Sequence, residues 1–149
     1  MPEIGPIPDT LEYLTGRWRA ERHVRDVAAD ITGRFEGTAL LSPPADASAG
    51  LVYRETGRFA WRGTTRRAER TLWFRPAADP GAAEVFFADG RPFHDLDLRS
   101  GLHRAEHPCA ADHYRGEFTV LDADRWRAVW KVRGPAKDLS LTTEYTRDR

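Results

Sequence analysis

The feature that most constrains this chain is what it lacks: no stretch of ten or more residues carries a helical amphipathic pattern. Short alternating segments recur instead, at Trp18–Asp26, Thr32–Leu41, Leu51–Trp61, Arg66–Pro76, Ala83–Ala88, Phe93–Arg99, Gly101–His107, Tyr114–Asp122, Arg125–Arg133 and Asp138–Arg147. Turn chemistry separates them, with Ala-Asp-Gly at 88–90, Ser-Gly at 100–101, Asp-Ala-Asp at 122–124 and Gly-Pro at 134–135. A period of two predicts strands, and many short strands at regular spacing predict an antiparallel sandwich or barrel. Short turns between neighbours favour the meander, so the expected fold is all-β: a single antiparallel up-and-down β-barrel. One helical turn is expected ahead of it, at Asp9–Leu14, with Asp9 as N-cap and Gly16 ending it. The segment Ser42–Gly50 reads as a long strand connection, which leaves 149 residues as one domain.

Alternation also assigns faces. Trp18, Ala20, Arg22 and Val24 share one side of their segment, and Phe35, Gly37, Ala39 and Leu41 share one side of the next. So do Tyr53, Glu55, Gly57, Phe59 and Trp61; Trp126, Ala128, Trp130 and Val132; and Leu139, Leu141, Thr143, Tyr145 and Arg147. These inner sets are not purely apolar, because Arg22, Glu55, Tyr145 and Arg147 fall among them. A bulge would invert any of them by moving the phase one residue.

Composition removes several classes. Lys plus Arg and Asp plus Glu each number 23, so no electrostatic footprint for nucleic acid or an anionic membrane exists. A single cysteine, Cys109, allows no internal disulfide and suits a reducing compartment, so a cytoplasmic location is expected. The opening MPEIGPIPDTLEYL has acids and three prolines and does not read as a signal peptide. A monomer or homodimer is expected.

The segment LEYLTGRWRAER, Leu11 to Arg22, resembles the start of the lipocalin and fatty-acid-binding families: a short helical turn, then Gly16-Arg17-Trp18 entering the first strand. The resemblance implies a calycin-type barrel. It also implies that Trp18 sits at the base and that an Arg of the last strand, here Arg147, stacks across it. The segments GRFEGTA, FADGRPFHDLDL, HPCAADHYRG and GPAKD together resemble a family of short bacterial proteins known as a domain of unknown function, which implies no activity.

Chemistry concentrates in Arg91–Leu98 and His107–Tyr114. A meander brings these segments together, so His94, His107, Cys109, Asp112 and Tyr114 are expected at one barrel mouth with Arg91 on the rim. The leucines at 96 and 98 put His94 on the inner face and Phe93, Asp95 and Asp97 on the outer one. Four readings compete. The residues cap turns; they bind a ligand; His94, His107 and Cys109 hold a metal; or His94 and Asp112 serve as bases with Tyr114 as a donor and Cys109 as a nucleophile. His-x-Cys lacks the further ligands a zinc site needs, and no haem motif is present, so no metal and no cofactor are expected. The run Arg66–Arg70 reads as a solvated strand face, and Lys137-Asp138 as either a cation at the mouth or a turn salt bridge.

The expected function is binding of a small organic molecule by Arg22, His94, Asp112, Tyr114, Trp130, Tyr145 and Arg147. Buried cations imply an acidic or carbonyl group on it, unless Glu55 already neutralises them. The alternative is a cofactor-independent isomerase, cyclase or hydrolase with His94, Asp112 and Tyr114 as catalytic groups. A third class, an interaction module that pairs through an exposed sheet edge, requires an open barrel.

Overall fold

The computed structural model describes residues 7–149; residues 1–6, on which the reading of the N-terminus partly rests, lie outside them. Helix α1 (Thr10–Leu14) precedes ten strands: β1 (Gly16–Asp26), β2 (Ile31–Ser42), β3 (Leu51–Trp61), β4 (Thr64–Pro76), β5 (Ala83–Phe87), β6 (Pro92–Leu96), β7 (Leu102–Cys109), β8 (Asp112–Asp122), β9 (Arg125–Gly134) and β10 (Lys137–Arg147). They form one antiparallel sheet in the order β6-β5-β4-β3-β2-β1-β10-β9-β8-β7. Every neighbour is adjacent in sequence except β1 and β10, whose pairing from Trp18↔Arg147 to Asp26↔Leu139 rolls the sheet up. The up-and-down barrel expected from alternation, of the calycin type that the resemblance implied, is thus formed, with inner sets that include Trp18, Ala20, Tyr53, Trp126 and Tyr145, all buried.

The barrel is nearly closed, and its remaining seam lies between β6 and β7. Strand β5 pairs with only Leu72–Pro76 of β4, leaving Thr64–Thr71 unpaired on that side. Strand β7 pairs only with β8. A side chain bridges the seam low down, where the His103 imidazole lies 3.2 Å from the Asp95 carboxylate. Above that point the wall has a lateral opening.

The opposite end is shut. Asp9 caps α1 by accepting from the Glu12 N–H at 3.0 Å. The helix is then tied to the barrel base through Thr10, whose hydroxyl accepts from the Leu98 N–H, and Tyr13, whose hydroxyl donates to the Asp122 and Arg125 carbonyls. Trp18 fills the base with no exposed surface, and its indole N–H donates to the Leu14 carbonyl at 2.8 Å.

Strands β2 and β3 meet at a glycine pair. Gly37 and Gly57 are register partners, and a Cβ on either would come within 2.2 Å of a backbone carbonyl oxygen of the facing strand. The Phe35 ring occupies the space the missing side chains leave, and the Arg22 guanidinium stacks above that ring at 5.1 Å.

Candidate functional site

The inner faces of β1, β3 and β10 assemble a polar ladder inside an aromatic wall. Arg22 donates to Glu55 twice, from Nη1 to Oε1 at 2.9 Å and from Nη2 to Oε2 at 2.6 Å, and from Nε to the Thr143 hydroxyl at 2.7 Å. Tyr53 donates its hydroxyl proton to Glu55 Oε2. That proton is therefore spent, so in the 2.9 Å contact between the Tyr53 and Tyr145 hydroxyls Tyr145 is the donor. Burial raises the Glu55 carboxyl, but the Arg22 hydrogen bonds and the Arg70 and Arg22 charges outweigh it and hold the group below its ordinary range. Burial, with Tyr145 and Glu55 alongside, pushes the Tyr53 phenol well up.

Arg22 thus has its counterion in Glu55, which removes the unpaired-cation argument for Arg22 itself. A second cation restores it. Arg70 is the register partner of Glu55 and lies over the Tyr53 ring at 5.7 Å. Its Nη2 is 3.8 Å from Glu55 Oε2, its side chain is 44% exposed, and it makes no hydrogen bond among the described residues. Two guanidiniums against one carboxylate leave the interior with one net positive charge. Arg66, Arg67 and Arg70 are all exposed, as a solvated face requires, but Arg70 also shares its parity with buried Leu72 and Phe74 and lines the cavity.

Arg70, Leu72 and Phe93 line two connected spaces. The inner one is small, about 50 Å³, and reaches Arg22, His94, Trp130 and Tyr145. The outer one, about 510 Å³, fills the lateral opening between β4, the β5–β6 turn and the β7–β8 tip, where Phe87, His107, Cys109 and Tyr114 face it. A column of stacked rings connects them: Phe87 on Phe93 at 4.4 Å and Phe93 on Trp130 at 5.2 Å. Phe93 joins this column against the simple alternation because a register irregularity between Val85 and Phe86 pairs His94 with Val85 but Pro92 with Phe86. Both Phe93 and His94 consequently line the interior.

His94 has a defined tautomer. Its Nδ1 lies 2.6 Å from the Asp95 carbonyl oxygen, which only accepts, so Nδ1 carries the proton and Nε2 holds a lone pair. The ring packs on Phe118 at 5.1 Å and edge-on to Trp130 at 5.2 Å. Burial pushes its pKa down from 6.5 to about 4, outweighing the Asp95 carbonyl. As pH falls, the unfolded chain takes up this proton near 6.5 while the folded protein refuses it until near 4. Stability is therefore lost progressively across that window, by roughly 2–4 kcal/mol. Urea unfolding at pH 7 and pH 4.5 checks this: His94→Phe should flatten the decline, and an unchanged slope would refute the assignment.

The other sequence candidates fall in three places. Arg22, His94, Trp130 and Tyr145 line the inner cavity, and Tyr114 lines the opening with His107 and the exposed Cys109. Arg91 sits on the rim, bonded to Asp89 and stacked over Phe87. Asp112 lines neither space; it is at the β7–β8 tip, 3.0 Å from Lys137, so that lysine pairs with Asp112 across the sheet rather than within the Lys137-Asp138 turn. Arg147 also lines neither. It lies at the base, 4.1 Å over the Trp18 ring, and its guanidinium donates to the Tyr13, Thr15 and Ala123 carbonyls and to Asp124. His94, Asp112 and Tyr114 thus occupy three different zones. Sequence reasoning missed Arg70 and Phe93 and placed Tyr53 on the inner face without giving it a site role; continuing the Leu72 and Phe74 parity back two residues would have found Arg70.

Among the described residues, no group of three His, Cys, Asp or Glu side chains is disposed to hold a metal ion, and no helix is long and apolar enough to cross a membrane.

Fold and interior together define a calycin-like barrel with an accessible, polar-lined cavity. The chain belongs to DUF6314, a family of unknown function, which it matches over residues 14–147. No curated protein matches it in sequence. Among solved structures it is similar to the S-type phycobiliprotein lyase CPES from Guillardia theta, at 8% identity and a TM-score of 0.66, covering 93% of this chain and 90% of that one. It is also similar, at 10% identity and a TM-score of 0.46, to EF1p2_mFAP2b, solved bound to DFHBI, over 95% of this chain and 99% of that one. A DUF3598 protein of unknown function from Nostoc punctiforme PCC 73102 has the same identity and TM-score, over 95% of this chain and 50% of that one.

Proposed function

We propose that the protein binds a small organic acid whose apolar body lies in the lateral opening and whose acidic group meets Arg70. The observation that carries this is the state of Arg70: a guanidinium at the throat between the two spaces, with a distant share in a carboxylate already bonded to Arg22 and Tyr53. A carboxylate delivered to Arg70 gains charge-assisted hydrogen bonds and neutralises the interior. The ring column from Phe87 to Trp130 supplies the apolar wall such a site needs. The single cysteine suits a reducing compartment such as the cytoplasm.

Calorimetric titration with benzoate and its neutral isostere benzamide tests the reading. Benzoate should bind at least about tenfold more tightly, and Arg70→Met should erase the difference, the loss expected for one charge-assisted contact. Equal affinities for acid and amide, or saturable binding of neither, would sink the proposal.

A further inference from the structure

The direction of the protons inside the barrel restricts the ligand further. Tyr145 spends its only proton on Tyr53, which spends its own on Glu55. The Tyr145 oxygen therefore offers the cavity lone pairs alone. His94 spends its Nδ1 proton on the Asp95 carbonyl, and its Nε2 has no partner among the described residues. Both groups line the same inner space of about 50 Å³, enough for a substituent and too little for a ring. Neither His94 Nε2 nor the Tyr145 oxygen is matched by a donor, although the cavity is also lined by Trp126, whose buried indole N–H has no partner among the described residues; a partly desolvated acceptor left unmatched costs affinity.

We infer that the ligand is an organic acid that also carries an O–H or N–H donor, with the acid at Arg70 and the donor inserted between His94 Nε2 and the Tyr145 oxygen. This rests on the organic-acid reading above and adds a second recognition element to it. His94 stays neutral because burial against Phe93, Phe118 and Trp130, with His103 and His107 also opposing a charge, outweighs the Asp95 carbonyl and carboxylate. Tyr145 is held in its donating orientation by the chain that ends at the Arg22–Glu55 pair.

The probes are the three hydroxybenzoate isomers and the matching fluorobenzoates, in which fluorine keeps the size and removes the donor. Binding is read by quenching of intrinsic tryptophan fluorescence and confirmed by calorimetry, with wild type, His94→Phe and Tyr145→Phe. At least one hydroxy isomer should bind wild type about tenfold more tightly than its fluoro counterpart, the usual effect of one matched hydrogen bond. That ratio should fall below about threefold in at least one variant, while the fluoro acid keeps its affinity. Two variants guard against one of them misfolding. If the acids bind but no isomer beats its fluoro counterpart, or the ratio survives both substitutions, the donor requirement is wrong and the organic-acid reading stands. If no acid binds wild type, both readings fall together.

Discussion

Glu55→Gln should destabilise the protein by about 3–5 kcal/mol, the range for removing one member of a buried ion pair. The reason is where the charge remains. The Glu55 side chain is 3% exposed and that of Arg22 13%, so the orphaned Arg22 guanidinium would be left largely shielded from water. Arg70 stands nearby with the same sign, and Tyr53 loses its ionised acceptor. An amide in the same volume keeps the packing, which isolates the charge effect from cavity formation. Urea unfolding followed by tryptophan fluorescence measures the change. The double variant Arg22→Met/Glu55→Leu should recover most of it, since replacing both ions with apolar groups is often neutral. A loss below about 1 kcal/mol in the single variant would show that solvent reaches the pair. The pH dependence has a fixed sign. The Glu55 pKa is depressed below 4.5, so the stability it contributes is present above that value and disappears as pH falls through the folded pKa. Glu55→Gln should lack that acid-side decline, while the His94 decline, which begins near pH 6.5, should persist.

The architecture was legible because each strand obeys a local rule that needs no partner to be read. Alternation and turn residues located all ten strands, with β3 and both ends of the meander matching closely, and Asp9 marked the helix start. The interior was legible wherever parity ran unbroken, as from Tyr53 to Trp61 and from Trp126 to Val132. It failed where parity depends on a second strand. Phe93 was placed outside because the irregularity that turns it inward lies in the β5–β6 pairing, which leaves no mark on either segment alone. Arg70 was missed for a different reason. Three cations and a Glu within Arg66–Arg70 look solvated, and it takes the Leu72 and Phe74 parity, with the register against Glu55, to show which arginine turns toward the cavity. Asp112 and Tyr114, two residues apart, share a face by alternation, yet Asp112 sits at the hairpin tip where Lys137 captures it. Arg147 was correctly placed against Trp18, but that contact belongs to the closed base of the barrel rather than to the ligand cavity.

The separation of base from opening leads to the second large effect. Trp18→Ala should cost about 3–5 kcal/mol, the range for truncating a fully buried Trp. Trp18 has no exposed surface, contacts Trp126 edge-to-face at 6.1 Å, and anchors α1 through the Leu14 carbonyl. Its loss also removes the ring beneath the Arg147 guanidinium, which would keep its four partners but lose its stacking surface. Trp18→Phe should cost less, because it keeps most of the apolar area and gives up the indole hydrogen bond and part of the width. Thermal and urea unfolding of the two variants should therefore rank Ala well below Phe. Neither variant touches Arg70, His94 or the outer space, so a hydroxybenzoate that binds wild type should bind folded Trp18→Phe with unchanged preference over its fluoro analogue. A change in that preference would mean that the base and the opening are mechanically coupled through Trp126 and Tyr145, whose rings stack at 3.7 Å between the two ends. The barrel would then sense at its base what occupies its cavity.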